Sequence, residues 1–279
     1  MISRSLVFRN RKTGELFRHF GIPPGEDFYP QLLPHQFLWH YLKFEYLQGI
    51  VAQRTLWVNR LDKMPSDPFD GVLPKESTGS KTPLSQTLID AGIDPGSQAD
   101  RLFGAEMVRK HCYPHCWTVR IREDALMWAA YCPSVRSVAI RTTYDRLLRA
   151  VGADQPSGGV VPGEVKYVGD SEPRPDWSDL APAFWKRKRF HTDKELRLLY
   201  VTDPSDDEDR PHVERPVDPL VLIERVVVHP IGDKAFLDEV KTFLGGNGIN
   251  VCVAKSKIRP SEIAAAQKKL DALKAPTIT

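Results

Sequence analysis

The 279-residue chain lacks the features that define several large classes of protein. It has only 4 cysteines, too few for a disulfide framework in a chain of this length, so we expect reduced thiols. No apolar run approaches the roughly 18 residues that a membrane-spanning helix needs, and the N-terminal stretch MISRSLVFRNRKTGELF has no continuous signal-peptide core. These absences predict a cytoplasmic protein.

Glycine-rich phosphate-binding signatures are also missing. Gly158-Gly159 and Gly245-Gly246 are isolated pairs, without a Walker or Rossmann pattern around them. The net charge of +3 and the pI near 8.6 are too mild to indicate nucleic-acid binding from bulk electrostatics, so such a function would need a local basic patch. The composition, 41% hydrophobic and 27% charged, is typical of a globular protein that is long enough to bury a core.

Proline-rich and polar segments divide the chain. Residues 1–36 are predicted to be an N-terminal extension, residues 37–258 a single domain, and residues 259–279 a C-terminal helix and tail that Ser261 caps. Within the domain, residues 72–110 are rich in Ser, Thr, Gly and Pro and are predicted to form an insertion or lid. We find no internal repeat.

Residues 116–148 carry the densest local signals and predict strand, helix, strand and helix. Asp124 is a suitable cap for the first helix, and Thr142 or Thr143 for the second, which Gly152 would end. Trp128 and Tyr131 are three apart in the first helix and are expected on one helical face.

The remaining elements are predicted from their periodicity. Strands are expected at FLWHYL, TLWVNRL, GEVKYV and ELRLLYV, and a helix at residues 44–53. In ELRLLYV, alternation places Glu195 and Arg197 on one face. A strand over residues 220–228, a helix over residues 234–244 and a strand over residues 249–254 predict a C-terminal β-α-β element. Strands and helices mix without strict alternation, so the predicted class is α+β, with small mixed or antiparallel sheets and flanking helices.

Several pieces occur in the same order as in the bacterial family called domain of unknown function 2971. They are LWHYL, TLWVNRLDKMPSDPFDG, HCWTV, ALMWAAY with SVAIRTT, FWKRKRFHTDKELRLLY, and VVVHP with a late KSKI. The chain resembles that family over about residues 37–258. Its chemistry is not generally established, so this resemblance implies a common fold rather than a reaction.

The layout is also similar to the ADP-ribosyltransferase superfamily, whose members bind NAD between small sheets. That resemblance implies a first-strand anchor at His40 and a late-strand acid at Glu195, with Asp193 as a second acidic residue. It leaves the middle position open between Thr118 and Tyr131, and the predicted helical location of Tyr131 departs from the family pattern. It further implies that Tyr41, Trp128 and Arg197 complete an NAD pocket.

Glu195 suits such chemistry because cleavage of the nicotinamide bond leaves an oxocarbenium-like ribose carbon, whose charge a nearby carboxylate stabilises. Two alternatives stay open. Glu195 is equally suited to a structural ion pair with Arg197 or with the preceding basic run. His40, between Trp39 and Tyr41, is typical of a half-buried histidine in a core strand, and the pattern favours that place over a ligand contact.

Two further groups of residues are candidates for ligand contacts. Trp128 and Tyr131 could stack on nicotinamide or on a nucleobase, although such a pair is more often part of a core. The basic run provides Lys186, Arg187 and Arg189, which could hold a pyrophosphate or a nucleic-acid backbone, and a solvated basic surface explains them equally well.

The cysteines and histidines allow two other kinds of site. Cys112, His115, Cys116 and Cys132 are donors that zinc accepts, but the spacing is C-x-x-H-C with one distant cysteine, so we predict no metal. Nucleophilic catalysis by Cys116 would need His191 beside it, which the sequence does not indicate.

The leading hypothesis is therefore an NAD-dependent ADP-ribosyltransferase-like enzyme, a toxin or phage-defence factor that modifies a nucleic acid or protein. Glu195, His40 and Tyr131 would be its catalytic residues and NAD its substrate. The alternative is a non-catalytic module that binds a nucleotide or nucleic acid through the basic run.

Overall fold

A computed structural model describes residues 5–9, 16–20, 32–64, 70–71, 108–152, 160–169, 181–202 and 210–274. Its strands are β1 (Ser5–Arg9), β2 (Leu16–Phe20), β3 (Phe37–Lys43), β4 (Thr55–Asn59), β5 (Cys112–Val119), β6 (Ser137–Thr143), β7 (Val160–Glu164), β8 (Lys166–Val168), β9 (Trp185–Arg187), β10 (Glu195–Val201), β11 (His212–Pro216), β12 (Arg225–Val228) and β13 (Cys252–Lys255). Its helices are α1 (Phe44–Gln53), α2 (Ala125–Tyr131), α3 (Tyr144–Ala150), α4 (Pro219–Leu222), α5 (Lys234–Gly246) and α6 (Pro260–Lys274). The predicted α+β class is confirmed.

The chain divides into two compact units, each built from separate segments. The first unit comprises Met1–Gln31, Val58–Cys116 and Gln155–Val213, and the second comprises Leu32–Trp57, Trp117–Asp154 and Glu214–Thr279. The predicted boundaries at residues 36 and 258 remain predictions, and most of the predicted lid, residues 72–107, lies outside the described residues. No helix in the described ranges is long and apolar enough to cross a membrane.

The second unit is built on a sheet with the order β13-β12-β6-β3, and Thr118 and Val119 of β5 pair with β3 at its edge. β12 and β13 are parallel and α5 connects them, so the predicted β-α-β element is confirmed. The other pairs are antiparallel, with Trp39 opposite Arg141 and Val227 opposite Ala139. The sheet is therefore mixed, as predicted.

One face of this sheet is covered by α2 and α6. Its cluster consists of Trp39, Tyr41, Met127, Trp128, Cys132, Ala139 and Val227, with Leu126, Ile258 and Ile263 packed against it. Because side chains alternate along a strand, His40 and its neighbour Ile140 lie on the opposite face. This division decides which residues of β3 can share a ligand.

The first unit contains an antiparallel pair of β10 with β7, a parallel pair of β8 with β9, and an antiparallel pair of β1 with β2. Both faces of β10 are buried. The apolar cluster of this first unit consists of Leu61, Cys112, Ala183, Phe184 and Leu199. β10 therefore holds its charged residues inside the unit rather than at the surface.

Several predicted boundaries were wrong for local reasons. Residues 219–222 form α4 instead of the start of a strand, because the Asp218 carboxylate accepts the Leu220 N–H and Pro219 is preorganised for the first helical turn. GEVKYV is two strands interrupted at Val165. α6 begins at Pro260, one residue before the predicted cap Ser261.

Two predicted caps are confirmed. The Asp124 carboxylate accepts the Leu126 N–H at 2.7 Å, and the Thr143 hydroxyl accepts the Arg146 N–H at 3.4 Å. Beside the first of these, the Glu123 carboxylate accepts from Trp128 Nε1 at 3.0 Å, from Ser256 Oγ and from Lys257 N at 2.9 Å. We call this group the Glu123 clasp, because it joins α2 to the segment before α6.

Candidate functional site

Glu195 begins β10 directly after a left-handed residue. Lys194 has φ of 44°, a conformation that a residue with a Cβ rarely adopts. The Glu195 N–H donates to the Tyr167 hydroxyl at 2.8 Å, and the Glu195 side chain is 5% exposed. The turn at Lys194 therefore places the Glu195 carboxylate in the interior of the first unit.

Four charged residues gather around this carboxylate, and together with Glu195 we call them the buried charge network. Arg197 Nε donates to Glu195 Oε1 at 2.7 Å, and Lys186 Nζ donates to Glu195 Oε2 at 2.8 Å. Lys186 also donates to Asp193 Oδ2 at 2.8 Å. Arg197 forms a bidentate pair with Asp70, at 3.0 and 2.6 Å. Both oxygens of Glu195 are thus held by cations.

The network sets the protonation of its acids in opposite directions. Burial raises the pKa of Glu195, but Arg197 and Lys186 lower it by more, so the pKa of Glu195 lies well below its ordinary value. Burial raises the pKa of Asp70 above its ordinary value, more than Arg197 lowers it. Glu195 therefore carries a fixed negative charge at neutral pH.

The thiol of Cys116 lies beside this carboxylate. It hydrogen-bonds to Glu195, and burial together with the charge of Glu195 raises the thiol pKa well above its ordinary value. His191 is exposed, and its Nδ1 lies 2.9 Å from the Lys188 carbonyl oxygen. A protonated thiol that donates to a carboxylate is a poor nucleophile, so the geometry does not support cysteine catalysis.

The basic run is divided between the interior and the surface. Lys186 is 3% exposed and is bound within the charge network. Arg187 and Arg189 instead surround the ring of Phe190, with their Cζ atoms 5.7 and 4.8 Å from its centroid. Two of the three predicted phosphate-binding residues remain accessible to solvent. Arg189 is exposed, and Arg187 is half-buried.

His40 and Tyr41 lie on opposite faces of β3, as successive residues of a strand must. The His40 ring is half-buried, with its centroid 5.1 Å from that of Trp117. Tyr41 lies on the face that α2 covers, and its hydroxyl accepts the Asp124 N–H at 2.9 Å. A ligand on one face of the sheet can therefore touch only one of these two side chains.

The other predicted pocket residues of the second unit lie mostly in its core. The Trp128 ring is fully buried, 5.1 Å from the ring of Tyr41 and 5.3 Å from that of His229. The Thr118 hydroxyl contacts Met127 Sδ at 3.5 Å. Tyr131 is 40% exposed. Trp128 and Tyr131 therefore do not present one common surface.

The structure brings four of the predicted residues together: Lys186, Asp193, Glu195 and Arg197. Arg187 and Arg189 lie around Phe190 in the same unit. The second unit contains His40, Tyr41, Thr118, Trp128 and Tyr131. One member of the network has no assigned role in the sequence analysis: Asp70, in the segment SDPFDG, whose Asp-Pro and Asp-Gly pairs are typical of a turn. The Asp70-Gly71 turn is real, since Gly71 has φ of 73°, but nothing local indicates the pair with Arg197, 127 residues away.

The cysteines do not gather into a metal site. Cys112 packs in the apolar cluster of the first unit and Cys132 in that of the second. Among the described residues, no group of three or more potential metal ligands occurs. None of the four cysteines, all of which are described, takes part in a disulfide. Burial raises the pKa of Cys132 to about 12.

Comparison with known proteins gives only distant similarity. No protein-family model and no curated protein sequence matches the chain. Solved structures of DarT from Thermus sp. 2.9 are similar: one in complex with NAD+ (12% identity, TM-score 0.38, 82% of this chain and 98% of that chain) and one with carba-NAD+ (13%, 0.37, 82% and 98%). A third, in complex with ADP-ribosylated ssDNA, has 13% identity and a TM-score of 0.38 over 82% of this chain and 96% of that chain.

At such TM-scores the similarity carries no argument about the activity, the ligand or the site residues of this chain. The similarity to the family called domain of unknown function 2971 rests only on the sequence pieces quoted above.

Proposed function

We propose that this protein is an NAD-dependent ADP-ribosyltransferase-like enzyme in which Glu195 supplies the catalytic carboxylate. The observation that carries the proposal is the fixation of Glu195 in its ionised form by Arg197 and Lys186, at 2.7 and 2.8 Å. A carboxylate that is already charged and oriented needs no reorganisation when positive charge develops beside it.

The proposed reaction breaks the bond between nicotinamide and the ribose. Nicotinamide leaves with the bonding electron pair, and the ribose carbon acquires oxocarbenium character that the Glu195 carboxylate stabilises. A nucleophilic atom of the acceptor then bonds to this carbon and loses its proton. Arg197 acts as a positioning residue for Glu195, and Asp193 and Asp70 balance the charges of the two cations.

Access to Glu195 is part of the proposal. Its side chain is 5% exposed and both oxygens are engaged, so the ribose must displace one partner. Lys186 is the partner that we expect to move, because Arg197 is also anchored by two bonds to Asp70. In the second unit, Tyr41, Thr118 and Trp128 support the sheet from its covered face, and contacts of His40 and Tyr131 with NAD remain predictions.

The test is nicotinamide release from NAD+, which is also the ligand of one of the structural neighbours. We expect turnover by the native protein and a loss of at least about 100-fold in Glu195→Gln, which keeps the shape of the side chain but removes its charge. The matched control is Glu214→Gln, an exposed carboxylate on β11. Absence of NAD+ binding and turnover in the native protein would refute the proposal.

A second candidate function is supported by Arg187 and Arg189 around Phe190. We propose as the alternative a module that binds a nucleic acid or nucleotide without catalysis. Its binding would weaken with salt and with Arg187→Gln combined with Arg189→Gln, and would survive Glu195→Gln. A role as a toxin or defence factor, and a cytoplasmic location, remain predictions under either function.

A further inference from the structure

A second cationic site lies in the second unit, on the face of the sheet opposite His40. Arg225 of β12 is directly opposite Arg141 of β6, and Arg141 is directly opposite Trp39 of β3. The two arginine side chains therefore project from the same face, next to each other. They lie beyond the part of this face that α2 and α6 cover, and both are half-buried.

Arg141 is fixed in place by its neighbours. Its Cζ atom lies 4.4 Å from the centroid of the Phe37 ring and 5.9 Å from that of Trp39, and its Nη2 donates to Glu224 Oε1 at 2.7 Å. Stacking on an aromatic ring and pairing with a carboxylate leave a guanidinium little freedom. Arg141 is therefore a rigid, preorganised cation.

Arg225 has no such partner. Within the part of the chain that the structure describes, its side chain makes no hydrogen bond or ion pair, and its Nε is buried without an acceptor. Like charges directly opposite each other in a sheet are destabilising. The neighbouring carboxylate of Glu224 is bound by Arg141 through Oε1, and its Oε2 accepts no hydrogen bond from the described residues. The pair thus carries one uncompensated positive charge and unused donors at a fixed position.

We propose that Arg225 and Arg141 form a binding site for a phosphoryl group. A carboxylate has two acceptor oxygens, which a single guanidinium can bind. A phosphoryl group has three acceptor oxygens and can therefore accept hydrogen bonds from two guanidiniums on adjacent strands at once. The site is separate from the charge network around Glu195 and does not depend on the proposed enzymatic function. His40, on the other face of the sheet, cannot contribute to it.

The experiment is a calorimetric titration of the full-length protein with inorganic pyrophosphate. We expect saturable binding that weakens as salt is added, and an affinity at least about tenfold lower in Arg225→Gln. Arg225→Lys keeps the charge but loses the planar donors and should bind with intermediate affinity. The control is Arg149→Gln, an exposed arginine of α3 paired with Asp145, which should leave the affinity unchanged.

Two further measurements separate this site from the other cationic surfaces. Adenosine, which has no phosphoryl group, should not compete with pyrophosphate, whereas ADP should. Without ligand, Arg225→Gln should melt at the same or a higher temperature than the native protein, because a like-charge contact is removed. No binding by the native protein, equal affinity in Arg225→Gln, or loss of affinity only in Arg189→Gln would overturn the proposal.

Discussion

Removal of Asp70 should expose how strongly the first unit depends on its buried charges. Asp70 and Arg197 are both 0% exposed and are joined by two hydrogen bonds, at 3.0 and 2.6 Å. In Asp70→Ala, Arg197 stays buried with Glu195 as its remaining carboxylate, and removing one partner of a buried pair typically costs about 3–5 kcal/mol. Because whole domains are stable by about 5–15 kcal/mol, this single change should remove about a fifth or more of that stability.

The assay is urea denaturation followed by circular dichroism, with the free energy of unfolding extrapolated to water. The matched control is Asp145→Ala, which breaks an exposed pair with Arg149 whose side chains are 51% and 53% exposed; it should cost less than about 1 kcal/mol. A cost below about 1 kcal/mol for Asp70→Ala would refute the reasoning.

A second prediction concerns the pH dependence of stability. His229 is buried, desolvation lowers its pKa from 6.5, and its Nδ1 accepts the Ile231 N–H at 3.2 Å. As the pH falls, His229 is protonated first in the unfolded chain, so the free energy of unfolding should decrease below about pH 6.5 by up to about 1.4 kcal/mol per pH unit. His229→Asn should flatten this slope, and an unchanged slope would show that His229 does not cause it. A third prediction concerns Lys194, because the left-handed backbone conformation costs a residue with a Cβ about 1–2 kcal/mol of folding free energy. Lys194→Gly should be neutral or stabilising in a thermal melt and Lys194→Val destabilising, and the opposite order would show that the turn is not strained.

Local patterns predicted most of the second unit correctly. The caps Asp124 and Thr143 and the parallel β12 and β13 follow from side chains within a few residues of each other. Alternation in β10 placed Glu195 and Arg197 on one face, where they do form a pair. These successes share a cause, since each depends on spacing along the chain.

The failures involve partners that are distant in sequence. Asp70 pairs with Arg197 only after β10 and the Asp70-Gly71 turn come together in the fold, and no periodicity in the sequence predicts that contact. Lys186 is part of a basic run, yet the fold turns its ammonium inward to Asp193 and Glu195 while Arg187 and Arg189 remain accessible. At residues 219–222 the apolar pattern suits a strand, but Pro219 and the cap Asp218 favour a helical turn.

The Glu123 clasp has a consequence for the kinetics of folding. Its contacts to Ser256 and Lys257 span 133 and 134 residues, so they close one of the long loops of the second unit and carry a large entropic cost until the sheet has formed. We expect the clasp to form after the folding transition state, so Glu123→Gln should accelerate unfolding and leave the refolding rate nearly unchanged. A single carboxylate would then govern the lifetime of the folded C-terminal segment rather than the speed at which it is made.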